Sequence, residues 1–134
     1  MSNPQHLHLA LKALAPTGRT FYDDEAPGTG EAPWLVGSLQ IPAPIPNLAG
    51  RKSAGTATWR LTVAALTGGQ ARVLASEAED AWTGAYVTVA GYVVGSVRPP
   101  RVRGPYPAGR TATDTDLRFQ VVVMEFDLTA SATP

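Results

Sequence analysis

The chain contains no cysteine in its 134 residues. That excludes a disulfide framework, a thiolate metal site and a cysteine nucleophile together. Histidine is nearly as scarce. His6 and His8 lie two positions apart, so on a helix they diverge and cannot grip one metal. Each is expected to sit on the surface, and a Ser-His-Asp triad would have to draw on one of them. Charge is thin as well, at 16% of residues against 44% apolar, which is low for a soluble domain. Part of the surface is therefore expected to be covered by neighbours. Eleven basic residues balance eleven acidic ones, so no global field draws the chain to DNA or to an anionic membrane. No run approaches the roughly 18 apolar residues that span a bilayer. The first twelve residues lack the apolar core and cleavage pattern of a signal peptide. The expected location is a cytoplasm, or a particle assembled there.

What the sequence does contain is a regular succession of elements, at a length typical of one domain over residues 1–134. A helix is expected over residues 4–15, capped by Ser2 or Asn3, with Pro4 in its first turn and Leu7, Leu11 and Leu14 on one face. Pro16 and Gly18 end it. Residues 19–24 read as a short strand with Phe21 as its buried side chain, and residues 24–33 as an exposed acidic, glycine-rich loop. Residues 34–41 carry a strand pattern in which Gly37 marks a bulge or a close approach. Residues 42–53 hold Pro42, Pro44 and Pro46, which cannot donate to a ladder, and read as an extended arm.

The clearest segment follows. Ala57, Trp59, Leu61, Val63 and Ala65 alternate with Thr56, Thr58, Arg60 and Thr62, the period of a half-buried strand. Thr67-Gly-Gly-Gln70 is a capping-box pattern opening a second helix to about Trp82. Its inner stripe is Ala71, Leu74, Ala75, Ala78, Ala81 and Trp82, with Glu77, Glu79 and Asp80 turned largely away and Gly84 closing it. Strands are expected over residues 85–90 and 92–98, broken at Gly91. Residues 99–114 read as a long polar loop and residues 116–128 as the last strand. In that strand the apolar parity moves from Leu117, Phe119, Val121 and Val123 to Met124, Phe126 and Leu128, which calls for burial on both faces or a bulge. Residues 129–134 read as a short mobile tail. The expected fold is α+β: a mixed, mostly antiparallel sheet of about five strands with two helices on one face.

No pattern of catalytic, metal-binding or cofactor-binding residues emerges. Gly28-Thr-Gly30 has neither the strand-to-helix context nor the lysine of a phosphate loop. The capping box uses the amides that Gly68 and Gly69 would offer an anion. Glu125 and Asp127 would share one strand face, turned to solvent or to a neighbouring subunit. What stands out instead is an asymmetry of charge. Asp23, Asp24 and Glu25 form an acidic run, and a second acidic group lies at residues 77–80. Arg98, Arg101, Arg103, Arg110 and Arg118 gather in and around residues 99–114, with Arg51 and Lys52 in the earlier proline-rich arm. Arginine suits interface ion pairs, and Tyr106, held between two prolines, is the kind of stiff aromatic that interfaces use. Acid on one side and base on another suits a head-to-tail contact, which closes into a ring where the rotation allows. The candidate interface is therefore Asp23, Asp24, Glu25, Arg51, Lys52, Arg98, Arg101, Arg103, Tyr106 and Arg110.

Taken in order, several pieces carry a resemblance: Thr20-Phe-Tyr-Asp23 after the first helix, Pro33-Trp-Leu-Val36, a proline-rich connection and Thr58-Trp-Arg-Leu-Thr-Val63. Thr67-Gly-Gly-Gln-Ala-Arg72, Gly91-Tyr92, Val97-Arg98 and Asp114-Thr-Asp116 continue it. Over nearly its whole length the chain resembles the tail terminator, or tail completion, proteins of long-tailed bacteriophages. The resemblance implies a hexameric ring, without cofactor or enzymatic activity, that caps the finished tail tube, stops its growth and presents a surface to the head connector. Tail tube protein, head-tail connector proteins and tape-measure protein would be its contacts, at the tail-neck junction of the virion. DNA would pass through the lumen without sequence recognition, and no membrane is involved. Another neck protein, a small monomeric ligand-binding α+β domain and an enzyme with a shared active site are the alternatives.

Overall fold

A computed structural model describes residues 3–25, 33–41, 55–107 and 119–132. Helix α1 (Pro4–Lys12) starts as its sequence dictates. The Asn3 side chain accepts from the Gln5 amide at 3.0 Å, and Pro4 stands where a missing N–H costs nothing. Leu7 and Leu11 are fully buried and Leu14 packs against the same core. The helix ends at Lys12, short of the expected Ala15, because the last turn tightens: Leu14 and Ala15 donate to the carbonyls of Leu11 and Lys12.

Strand β1 (Phe21–Asp23) runs parallel to β2 (Trp34–Gln40), which is antiparallel to β3 (Gly55–Ala65). Helix α2 (Gly68–Trp82) follows, then β4 (Tyr92–Val94), β5 (Arg101–Pro107) and β6 (Gln120–Ala132). β6 lies against β3, and β4 and β5 share its other edge, giving the order β1-β2-β3-β6-β4 with β5 beside β6. The fold is α+β with a mixed, mostly antiparallel sheet, as expected.

The alternation of β3 fixes the core. Ala57, Trp59, Leu61, Val63 and Ala65 are all buried, and their partners on β6 (Leu128, Phe126, Met124 and Val122) join the same cluster. α2 brings Ala71, Leu74, Ala78 and Trp82 onto that face. The small alanines admit the helix backbone close to the sheet, and the Trp82 indole donates to the Leu11 carbonyl at 2.9 Å, pinning the two helices together. The α2 cap forms as expected, Thr67 Oγ1 accepting from the Gln70 amide at 3.1 Å. The return arm of the capping box differs. Gln70 Oε1 accepts from Leu66 N–H, one residue before the cap. Gly37 serves a close approach rather than a bulge, since the β2–β3 register runs unbroken past it and the Phe21 and Trp59 rings occupy the space a Cβ would need.

Four expectations are corrected. Residues 99–114 are not wholly a loop: Arg101–Pro107 pairs with β6. The prolines are accommodated because β5 lies at the sheet edge and its register shifts between Arg103 and Tyr106. At that shift Gly104 has φ 107°, and a Cβ there would sit 2.5 Å from the Val121 carbonyl oxygen. Residues 129–132, expected in a mobile tail, continue β6, because β3 and β4 flank them. Residues 85–90 form no ladder, and of residues 92–98 only Tyr92–Val94 is a strand. The parity change in β6 reflects burial on both faces: Val121, Val122, Val123 and Met124 are all buried while the β3–β6 register stays continuous. On the helix-free face a small aromatic group, Tyr22, Trp34 and Phe119, meets edge to face. The arm at residues 42–53 and the first part of the expected last strand, residues 116–118, lie outside the described residues.

Candidate subunit interface

The topology sends the two charged groups to opposite edges of one sheet. β1 is one edge and carries the acidic run. Asp23, its last residue, is tied back to α1: His8 Nε2 lies 2.7 Å from Oδ1, and Lys12 Nζ donates to Oδ2 at 2.8 Å. Lys12 first, and His8 after it, hold the Asp23 carboxyl below the usual carboxylate range. His8 is only 4% exposed and meets the Trp59 ring edge-on at 5.2 Å. This overturns its expected surface position: the 3.6-residue period puts residue 8 beside Leu7 and Leu11 on the buried side. His6 is exposed, as expected. Asp24 adopts φ 65° and donates its N–H to the Gly37 carbonyl, turning the chain away, so that Asp24 and Glu25 are left exposed.

The far edge carries the arginines. Arg101 is in ion-pair contact with Asp127, and Arg103 donates to Glu125 at 3.2 Å. Asp127 also accepts from Thr58 Oγ1 at 2.9 Å. Arg101 chiefly, with Thr58 and Arg98 adding to it, holds the Asp127 carboxyl below its ordinary range against the opposing effect of partial burial. These pairs join β5 to β6 and, through Thr58, to β3. Glu125 and Asp127, expected to face solvent or a neighbour, are therefore half-buried under their own chain's arginines. Arg101 and Arg103 nevertheless keep more than half of their side-chain surface, 61% and 68%. Arg98 and Tyr106 are exposed on the same edge. Arg51, Lys52 and Arg110 lie outside the described residues.

The second acidic group divides. Glu77 is held in a two-pronged pair by Arg19 Nε and Nη2, at 2.7–3.1 Å, while Glu79 and Asp80 are exposed. Two exposed side chains escaped sequence reasoning: Tyr86 at 76% and Val93 at 66%, both near the far edge. The alternation of residues 85–90 held the signal for Tyr86, because an outward parity with nothing to cover it leaves a large aromatic in water.

Chemically the surface offers ion pairing and backbone hydrogen bonding. Among the described residues no three His, Cys, Asp or Glu side chains cluster to hold a metal. His8 and Asp23 form a dyad, yet among the described residues no hydroxyl completes it, and His8 is enclosed by the core. No described helix is long and apolar enough to cross a membrane.

In fold the chain is similar to a chain of the virion of a native gene transfer agent particle, with a TM-score of 0.59 and 16% identity. The likeness covers 95% of this chain and 90% of that one. At that identity the likeness is one of fold. No protein-family model matches the chain, and no curated protein matches it in sequence.

Proposed function

We propose that this chain is a non-catalytic structural protein of a phage-like virion: a tail terminator that assembles into a ring on the tail tube, ends tail growth and joins the tail to the head connector. The carrying observation is the fold likeness to a virion chain over nearly the full length of both. The sequence resemblance to tail terminators points the same way and supplies the count of six. In this reading residues 1–134 are a single domain. Copies meet head to tail, the acidic β1 edge of one facing the arginine-bearing edge of the next. A heterologous contact of this kind uses two different surfaces of each subunit, as a closed ring requires. The remaining surfaces meet the tail tube protein, the connector and the tape-measure protein, and DNA passes through the lumen.

The test is genetic. Deleting the gene from a particle-forming genome should leave separated heads and tails with tubes of irregular, excessive length in electron micrographs. Supplying the intact chain in trans should restore joined particles. Normal particles from the deletion would reject the reading.

A further inference from the structure

Residues 85–90 carry the pattern of a strand but pair in no ladder. Their sequence, Ala-Tyr-Val-Thr-Val-Ala, has high β-propensity. Their burial alternates as in a sheet, with Ala85, Val87 and Val89 turned in and Tyr86, Thr88 and Ala90 turned out. The segment folds back beside residues 92–97 through a turn closed by Tyr92 N–H to the Val89 carbonyl, with Gly91 at φ 84°. At its base Val97 N–H donates to the Ala85 carbonyl. Between these points Tyr86, Val87 and Thr88 make no backbone hydrogen bond among the described residues. Because backbone groups alternate in direction along a strand, Ala85 and Val89 facing inward leaves Tyr86 and Thr88 facing away from the sheet.

β1 is open in the same sense. Thr20 and Asp24 bond to β2, accepting from Leu35 N–H and donating to the Gly37 carbonyl. Phe21 and Asp23 therefore point outward, and of their groups only the Asp23 carbonyl is taken, by Glu25 N–H. The two open edges also match in direction. β1 is parallel to β2, the steps through β3, β6 and β4 are each antiparallel, and residues 85–90 fold back beside 92–97 through the Val89–Tyr92 turn, so both edges run the same way.

We infer that, in the ring proposed above, residues 85–90 of one copy pair as a parallel strand with β1 of the next copy. With the helices of both copies on the same face, side-chain parity allows registers two residues apart, and of these the one that pairs the two aromatic side chains is favoured. It sets Tyr86 opposite Tyr22, both on the helix-free face. Tyr86 N–H then donates to the Phe21 carbonyl, and Asp23 N–H donates to the Tyr86 carbonyl. The contact covers the exposed Tyr86 ring and extends the sheet from one copy into its neighbour.

The chain lacks cysteine, so an introduced pair reports this contact alone. Neighbouring strands lie about 4.8 Å apart, within the Cα separation a disulfide spans. A Tyr22→Cys, Tyr86→Cys double variant, oxidised after assembly, should give a ladder of covalent dimers and higher species on a denaturing gel. Either single variant should stay monomeric, since the contact never places a residue against its own copy. Hydrogen exchange on the unsubstituted chain provides a check independent of the variants' folding. The amides of Asp23 and Tyr86 should exchange at least tenfold more slowly in the assembled state than in the dilute monomer. Rings seen by light scattering with neither ladder nor protection would overturn the strand pairing and leave the ring standing. Covalent dimers from Tyr86→Cys alone would overturn it in favour of a two-fold contact. A chain that stays monomeric at every concentration would overturn the ring and the pairing together.

Discussion

Replacing Gly37 by alanine probes how β1 is held in place. A Cβ at Gly37 would lie 2.6 Å from Trp59 Cζ2 and Cη2, and closer still to the tip of the Phe21 ring. Trp59 cannot yield: it is fully buried between Trp82, at 6.0 Å between ring centroids, and His8, at 5.2 Å. Phe21 can, because it sits on a three-residue edge strand and stacks on Trp59 from outside, at 6.1 Å and 6° between planes. Overpacking of this kind costs about 1–3 kcal/mol. Relieving the entropy cost of glycine returns roughly 0.5–1 kcal/mol, so the net loss is expected between about 0 and 2.5 kcal/mol. Urea unfolding followed by far-ultraviolet circular dichroism measures it, and the near-ultraviolet tryptophan signal should weaken as the stack opens. Phe21→Ala in the same background should recover part of the loss, a coupling a double-mutant cycle resolves. Unchanged stability with an unchanged tryptophan signal would refute the packing argument.

Leu61→Ala, at a fully buried core position, should destabilise by about 2–5 kcal/mol in the same unfolding assay. Thr67→Ala removes the oxygen that accepts from Gln70 N–H and should cost about 1 kcal/mol. Asp23 and Asp127 are both held below their ordinary range. Their stabilisation is therefore complete above the unfolded value near pH 4 and is lost as pH falls through the lower folded values. Asp23→Asn and Asp127→Asn should each flatten that acid limb in thermal scans, with only modest amplitude because both groups are partly in water. Replacing Arg101, Arg103 and Arg110 by alanine should leave the fold intact by circular dichroism, speed amide exchange in β5 and reduce ring formation by light scattering.

Local chemistry made most of the fold legible. The β3 alternation, the Thr67 cap and the alanine stripe of α2 each carry their own instruction, and each formed where the sequence placed it. β5 was missed because proline argues against a strand only where both edges must pair. Which strand ends a sheet is decided by long-range topology, and that is invisible in the residues 99–107 themselves. His8 was misplaced because a histidine reads as polar until its partner is known, and Asp23 lies fifteen positions away in sequence. The acidic and basic groups were visible as composition. That Asp23, Arg101 and Arg103 each have partners within their own chain was not, since those partners come from other elements. The open edge at residues 85–90 was half legible: the strand pattern was there, but the missing ladder appears only in three dimensions.

The central claim, a ring that caps a tail tube, is tested most directly by electron microscopy of tail tubes polymerised from purified tube protein with and without this chain. The account predicts tubes that stop growing when the chain is added, each bearing a ring at one end only. Tubes of unchanged length with bare ends, in the presence of folded chain, would contradict it.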